Sequence, residues 1–140
     1  MRQPMRPSIE YNRKPVVWAA AVLFGGGLAV NFVLFRPGWL LPLSLVAGGV
    51  AAAQSGFYQP AANNGALGVC LGMVLLTPIL AVSRVTAQLG TGDTIELSFM
   101  TLVLVGGWLP IVFTTMIIGY LGAILVDSFR RRVSAPIGHR

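Results

Sequence analysis

The run PVVWAAAVLFGGGLAVNFVLF, residues 15–35, decides how this chain folds: it holds no charge, Arg13-Lys14 precede it and Arg36-Pro37-Gly38-Trp39 follow it. An α-helix rises ~1.5 Å per residue and the hydrocarbon core of a bilayer is ~30 Å thick, so ~20 apolar residues make one crossing. A secretory signal core is shorter, ~7–15 residues, and a small-residue cleavage site follows it. Arg36-Pro37-Gly38-Trp39 is no such site. The run reads as a retained first transmembrane helix, with Pro15 suited to its start.

Working outward, three more apolar segments follow at residues 39–58, 65–83 and 98–126. Pro42 falls in the first turn of the second, where a missing N–H costs little. Residues 59–64 read as a linker, with Asn63 or Asn64 available to cap the third helix. Residues 84–97 form the longest linker and contain the turn Gly90-Thr91-Gly92-Asp93. Pro78 is expected to bend the third segment. The fourth would reach ~43 Å as a straight helix, so it should tilt, protrude or kink, with Gly106-Gly107-Trp108-Leu109-Pro110 as the kink site. A rival parse splits it at Gly107 into two short spans.

Composition agrees with the membrane class. The 140 residues are 55% hydrophobic and 10% charged, with a mean hydropathy of +0.76; soluble domains carry roughly 25% charged residues. The net charge of +6 is gathered at the ends. Arg2, Arg6, Arg13 and Lys14 stand before the first span, Arg130, Arg131, Arg132 and Arg140 after the last, and only Arg36 and Arg84 lie between. Cationic flanks prefer the cytoplasmic side, so an even number of crossings is expected, with both termini cytoplasmic. Five crossings would strand Arg130, Arg131 and Arg132 outside. The expected fold is therefore an all-α, polytopic four-transmembrane-helix bundle: a cytoplasmic tail (1–14), a membrane domain (15–126) and a basic cytoplasmic tail (127–140). Positive charge so placed points to anionic lipid head groups rather than nucleic acid. Arg13, Lys14, Arg130, Arg131 and Arg132 are the candidate lipid- or partner-binding residues. The sharper alternative is that the arginine run docks a soluble cytoplasmic partner.

Small residues recur at helical spacing: Ala21, Gly25 and Ala29; Ser44, Gly48 and Ala52; Gly68 and Gly72; Gly119 and Gly122. Small side chains let helix backbones approach in lipid, which makes Gly25, Gly48, Gly68 and Gly72 candidate packing positions. Packing within the chain is the plainer reading of that spacing, and self-association the other. The glycine runs are not phosphate loops, because no Lys-Ser/Thr follows them.

Polar residues within the segments, apart from Gln54, Ser55, Ser83 and Ser98 toward their ends, are Asn31, Ser44, Cys70, Thr77, Thr101, Thr114 and Thr115. Ion-coupled transport normally needs intramembrane Asp, Glu, His, Lys or Arg, and the segments contain none. Thr side chains in helices usually bond their own backbone. Asp93 and Glu96 read as a solvated turn. Trp18, Tyr58 and Tyr120 sit toward the inner interface and Trp39 at the outer one. Trp108 lies at mid-depth, so its indole N–H needs a partner, for which a carbonyl freed by Pro110 is the expected acceptor. Cys70 is the only cysteine and His139 the only histidine. No catalytic set, metal-ligand cluster or cofactor motif emerges, and no enzyme activity is expected.

The Gly/Ala-rich second and third segments resemble small four-helix membrane proteins of unknown function that are common in archaea. The resemblance lies within residues 43–75, in Val46-Ala47-Gly48-Gly49 and Asn63-Asn64-Gly65-Ala66-Leu67-Gly68. It implies the four-helix fold and supplies no function. The expected role is structural or accessory: a small subunit that packs with other membrane proteins or organises lipid. The alternative is a passive oligomeric pore lined by Asn31, Thr77, Thr101 and Thr114. A membrane enzyme completed by a partner is a weaker third.

Overall fold

The computed structural model describes residues 11–55, 59–90, 92 and 94–134. The described residues form four α-helices and no strand: α1 (Arg13–Leu28), α2 (Leu40–Gln54), α3 (Gln59–Leu89) and α4 (Thr94–Ser134). Three stretches are long and apolar enough to cross a membrane: Arg13–Val33, Pro60–Ala87 and Gly106–Ser134. Helix α2 is apolar but has only 15 residues, about 22 Å of α-helix.

Several boundaries differ from the sequence-based expectation. Helix α1 ends at Leu28 and continues as a π-helical turn, Ala29–Val33, and a 3-10 turn at Pro37–Trp39 leads into α2. Residues 59–64 are not a linker: they are the first turns of α3, which tolerates Pro60 because the first helical N–H groups have no intrahelical acceptor. Nor do residues 84–97 form a long linker. Residues 84–89 contain no Gly or Pro, so α3 runs on to Leu89, and α4 starts at Thr94. Helix α4 is continuous through Gly106, Gly107 and Pro110, which removes the split into two spans. Tyr58, Asp93 and His139 lie outside the described residues.

The helices alternate in direction. Asn12 before α1, Ser55 after α2, Asn64 early in α3 and Arg130 late in α4 are joined by hydrogen bonds at one end of the bundle. Helices α1 and α3 run parallel at a constant offset. Ala19 meets Gly68, Leu23 meets Gly72 and Gly27 meets Leu76. Each step is four residues on both helices, the spacing that keeps side chains on one face. The core sits along this seam and the facing part of α4, with Leu23, Val69, Met73, Leu76 and Val112 buried together.

The closest approach is between α2, α3 and α4. A Cβ at Gly48 would overlap the backbone of Gly119, and one at Gly65 would lie 2.9 Å from the Gly119 carbonyl oxygen and 2.7 Å from the Ala123 methyl. Backbone rather than side chain forms these surfaces, so larger residues have nowhere to go. Gly68 and Gly72 likewise meet α1, and a Cβ at Gly72 would lie 2.9 Å from the Leu23 side chain. Three of the four expected packing glycines therefore lie between helices. Gly25 does not: a Cβ there meets nothing within 4 Å. At about 100° per residue only part of a glycine run can face inward, and Gly26 and Gly27 take those places against Leu43 and Leu76.

Gly48→Leu should separate α2 from α4 and cost more than ~2 kcal/mol, because rigid backbone blocks the relaxation that moderates most overpacking. Gly25→Leu should stay within ~0.5 kcal/mol, as an outward-facing position does. Thermal unfolding of the two variants in mild detergent, read by circular dichroism, checks the contrast.

Candidate functional site

Polar chemistry concentrates at the end of the bundle where both described chain ends emerge. Helix termini leave backbone groups without intrahelical partners, so four helix ends meeting in an apolar setting must satisfy them. Asn64 does so from within α3. Its side chain is fully buried, its Oδ1 accepts from the Asn12 backbone N–H at 2.8 Å, and its Nδ2 donates to the Ser55 hydroxyl at 2.7 Å. Ser55 passes the chain on, donating to the Ala51 carbonyl at 2.6 Å. One asparagine thereby ties the start of α1 to the end of α2.

Arg130 closes the other side. Its guanidinium donates to the carbonyls of Ala52 (2.5 Å) and Ser55 (3.1 Å), where the negative end of the α2 dipole lies. One turn earlier on α4, Asp127 is 3% exposed and forms an ion pair with Arg131. That pair has the favourable order, acid four residues before base.

The five cations expected to bind lipid or a partner all lie at this end, but they do different work. Arg13, Lys14 and Arg132 are exposed and make no hydrogen bond or ion pair to a described residue. Arg131 is exposed but held by Asp127, and Arg130 is turned inward onto α2. The arginine run is thus not one uniform patch. Asn12, Ser55 and Asn64 were not expected here. The available signal was spacing: Ala61, Asn64 or Gly65, Gly68 and Gly72 form one stripe at steps of three and four, which places Asn64 on the packed face rather than in a loop.

In the middle of the bundle the Trp108 indole N–H donates to the Thr77 hydroxyl at 2.5 Å, and Thr77 donates to the Met73 carbonyl at 2.6 Å. The acceptor is therefore a side chain of α3 and not the carbonyl freed by Pro110. Thr114 donates to the carbonyl of Pro110 itself at 2.8 Å, a different group from the Gly106 carbonyl that the missing proline N–H leaves free. Asn31 and Ser44 also donate to carbonyls four residues back. Thr115, buried, bonds Ile111 and Val112 in its own helix. Among the described residues no three His, Cys, Asp or Glu side chains gather as a metal site. Comparison with protein-family models, curated proteins and solved structures finds no match in any of the three.

Arg130→Gln should lower stability by ~1–2 kcal/mol by freeing the α2 carbonyls, whereas Arg132→Gln should change it little. Asn64→Leu should cost at least as much as Arg130→Gln, since it leaves the Asn12 N–H without its acceptor. Thermal unfolding in detergent ranks the three. Thr77→Val removes the acceptor of the half-buried indole, and the tryptophan emission should shift while helix content stays constant.

Proposed function

We propose that the chain crosses the membrane four times with both termini cytoplasmic, and that it is a structural or accessory subunit without chemistry of its own, packing with other membrane proteins or organising lipid. The observation that carries the role is where the intramembrane polar groups go. Asn31, Ser44, Thr77, Thr114 and Thr115 each donate to a carbonyl of their own helix. A pore needs such groups presented to water along one line. Thr114 is exposed while Thr115 beside it is buried, and Thr77 is committed to Trp108. What the bundle offers outward is apolar: Val17, Leu75, Val82, Ile117, Leu121 and Leu125 are exposed.

Four crossings rest on the alternation of the helices. Three crossings would put the two ends on opposite sides, yet Asn12 and Arg130 sit in one hydrogen-bonded cluster. Helix α2 with its 3-10 entry covers Pro37 to Gln54, about 28 Å, close to the ~30 Å of a hydrocarbon core. Uncharged stretches of matching length separate Lys14 from Arg36 and Asn64 from Arg84. The likeness of residues 43–75 to small four-helix membrane proteins belongs to the same proposal. Arg13, Lys14 and Arg132 are the exposed cations that would meet anionic head groups.

In a Cys70→Ser background, Gly38→Cys and Gly92→Cys should react with a membrane-impermeant maleimide on intact cells. Lys14→Cys and Arg132→Cys should react only after permeabilisation. Reaction of Lys14→Cys and Arg132→Cys from opposite sides would overturn the four-crossing reading. For the role, the protein purified in mild detergent should carry a stoichiometric membrane-protein partner or a defined lipid and should pass no solute when reconstituted. A lone oligomer that conducts solute in liposomes would sink it.

A further inference from the structure

The face of α3 that meets α1 outlasts its partner. Gly68, Gly72 and Leu76 pack on α1, and the same spacing continues through Leu80, Ser83 and Ala87 on a helix that ends only at Leu89. Helix α1 does not follow. It loosens into the π-helical turn Ala29–Val33, with Leu34 bonded back to Ala29 at 3.1 Å and Arg36 to Val30 at 3.1 Å. Phe35 then turns the chain away toward α2 with φ of 52°, left-handed backbone that costs an L-residue roughly 1–2 kcal/mol. The chain accepts that cost with an aromatic ring that is 77% exposed.

This departure leaves a half-open cleft of about 190 Å³. Asn31, Phe32 and Phe35 form its α1 side, and Leu80, Ser83, Arg84 and Ala87 its α3 side. A cavity of ~150 Å³ holds one benzene, so this space takes a segment of acyl chain and not a folded element. The Ser83 hydroxyl and one N–H of the Asn31 amide already bond the Leu80 and Gly27 carbonyls, both at 2.8 Å. Arg84 is different: its guanidinium makes no hydrogen bond or ion pair to a described residue. It lies twenty residues along α3 from Asn64, about 30 Å, which is one hydrocarbon thickness from the polar end.

We infer that this cleft binds a phospholipid from the leaflet at the Arg84 end of the bundle, opposite the polar cluster, with the lipid phosphate on the Arg84 guanidinium and one acyl chain along Phe32 and Leu80. The proposal rests on the membrane-spanning reading above. The charge is complementary, and a planar guanidinium pairs with phosphate through two parallel N–H bonds. Phe32 and Leu80 lie on the membrane side of that charge, where an acyl chain would continue.

The test uses the full chain reconstituted in vesicles of phosphatidylglycerol and phosphatidylcholine, checked for resistance to alkaline extraction, then released in mild detergent for native mass spectrometry. The wild type should retain about one phospholipid. Arg84→Gln should lower that occupancy roughly tenfold, the loss expected for a charge-assisted contact. Ala87→Phe should lower it by filling the space, and Arg132→Gln, at the opposite end, should leave it unchanged. Vesicles of a phosphate-free diacyl glycolipid should give no retained lipid. Equal retention by wild type and Arg84→Gln, no phospholipid on the wild type, or equal retention of glycolipid would each overturn the cleft proposal alone. A chain that washes off at alkaline pH would overturn the membrane reading and the cleft with it.

Discussion

The contact of Gly48 and Gly65 with the backbone of Gly119 sets the distances on which the rest of the bundle depends. In water, helices are driven together by burying apolar surface; among lipid tails that drive is absent, and van der Waals contact must supply the attraction. Dispersion is small for each atom pair and falls away within an ångström of ideal separation. Helices that touch backbone to backbone gather many such pairs, and only glycine permits it. Once α2, α3 and α4 are drawn to this distance, α2 presents Ala47, Ala51 and Ala52 to its neighbours with no exposure at all. The short helix is held by that one small-residue face, while Leu41, Leu45 and Val46 on its other side stay exposed.

Close packing of smooth, small-residue faces leaves register weakly determined, since a slide by one turn exchanges one glycine for another. The polar end answers this. Asn64 can satisfy the Asn12 N–H and the Ser55 hydroxyl only in one alignment of α1, α2 and α3, and Arg130 adds α4 by binding the last carbonyls of α2. A slipped alignment would leave buried polar groups without partners at ~1–3 kcal/mol each. The apolar contacts thus determine how near the helices lie, and the hydrogen bonds determine where along their length they stop. The ion pair of the buried Asp127 with the exposed Arg131 lies within one helix, so it moves with α4 and does not select the register between helices.

How far the sequence could be read follows from the same division. Apolar length and small-residue spacing are local properties, so all four helices and the packing roles of Gly48, Gly68 and Gly72 were legible. Direction around a helix axis is not local. Gly25, Gly26 and Gly27 look alike in sequence, and only the positions of Leu43 and Leu76 decide that Gly25 faces outward. Arg130, Arg131 and Arg132 look alike too, yet steps of about 100° send one to α2, one along its own helix and one to the exterior. Residues 59–64 read as a loop because Gln, Pro and Asn are common in loops. Their helical state is decided by what Asn64 bonds across the bundle. The Trp108 acceptor is not legible locally for a similar reason: the carbonyls around Pro110 are close in sequence, and Thr77 is close only in space.

The number of crossings turns on α2, the helix that least resembles a membrane span by itself. Its 15 α-helical residues fall short of the usual length. A buried span, however, is judged by whether its backbone ends are satisfied at the two interfaces and not by its apolar length alone. At one end Arg130 binds the Ala52 and Ser55 carbonyls. At the other, the 3-10 turn adds its own bond from the Trp39 N–H to the Arg36 carbonyl at 3.1 Å, and it carries the exposed Trp39 ring to the depth where aromatic residues favour an interface. Shortness in α2 is then offset on one face: small residues from Ser44 to Ala52 are buried against the neighbouring helices, while Leu41, Leu45 and Val46 on the other side stay exposed.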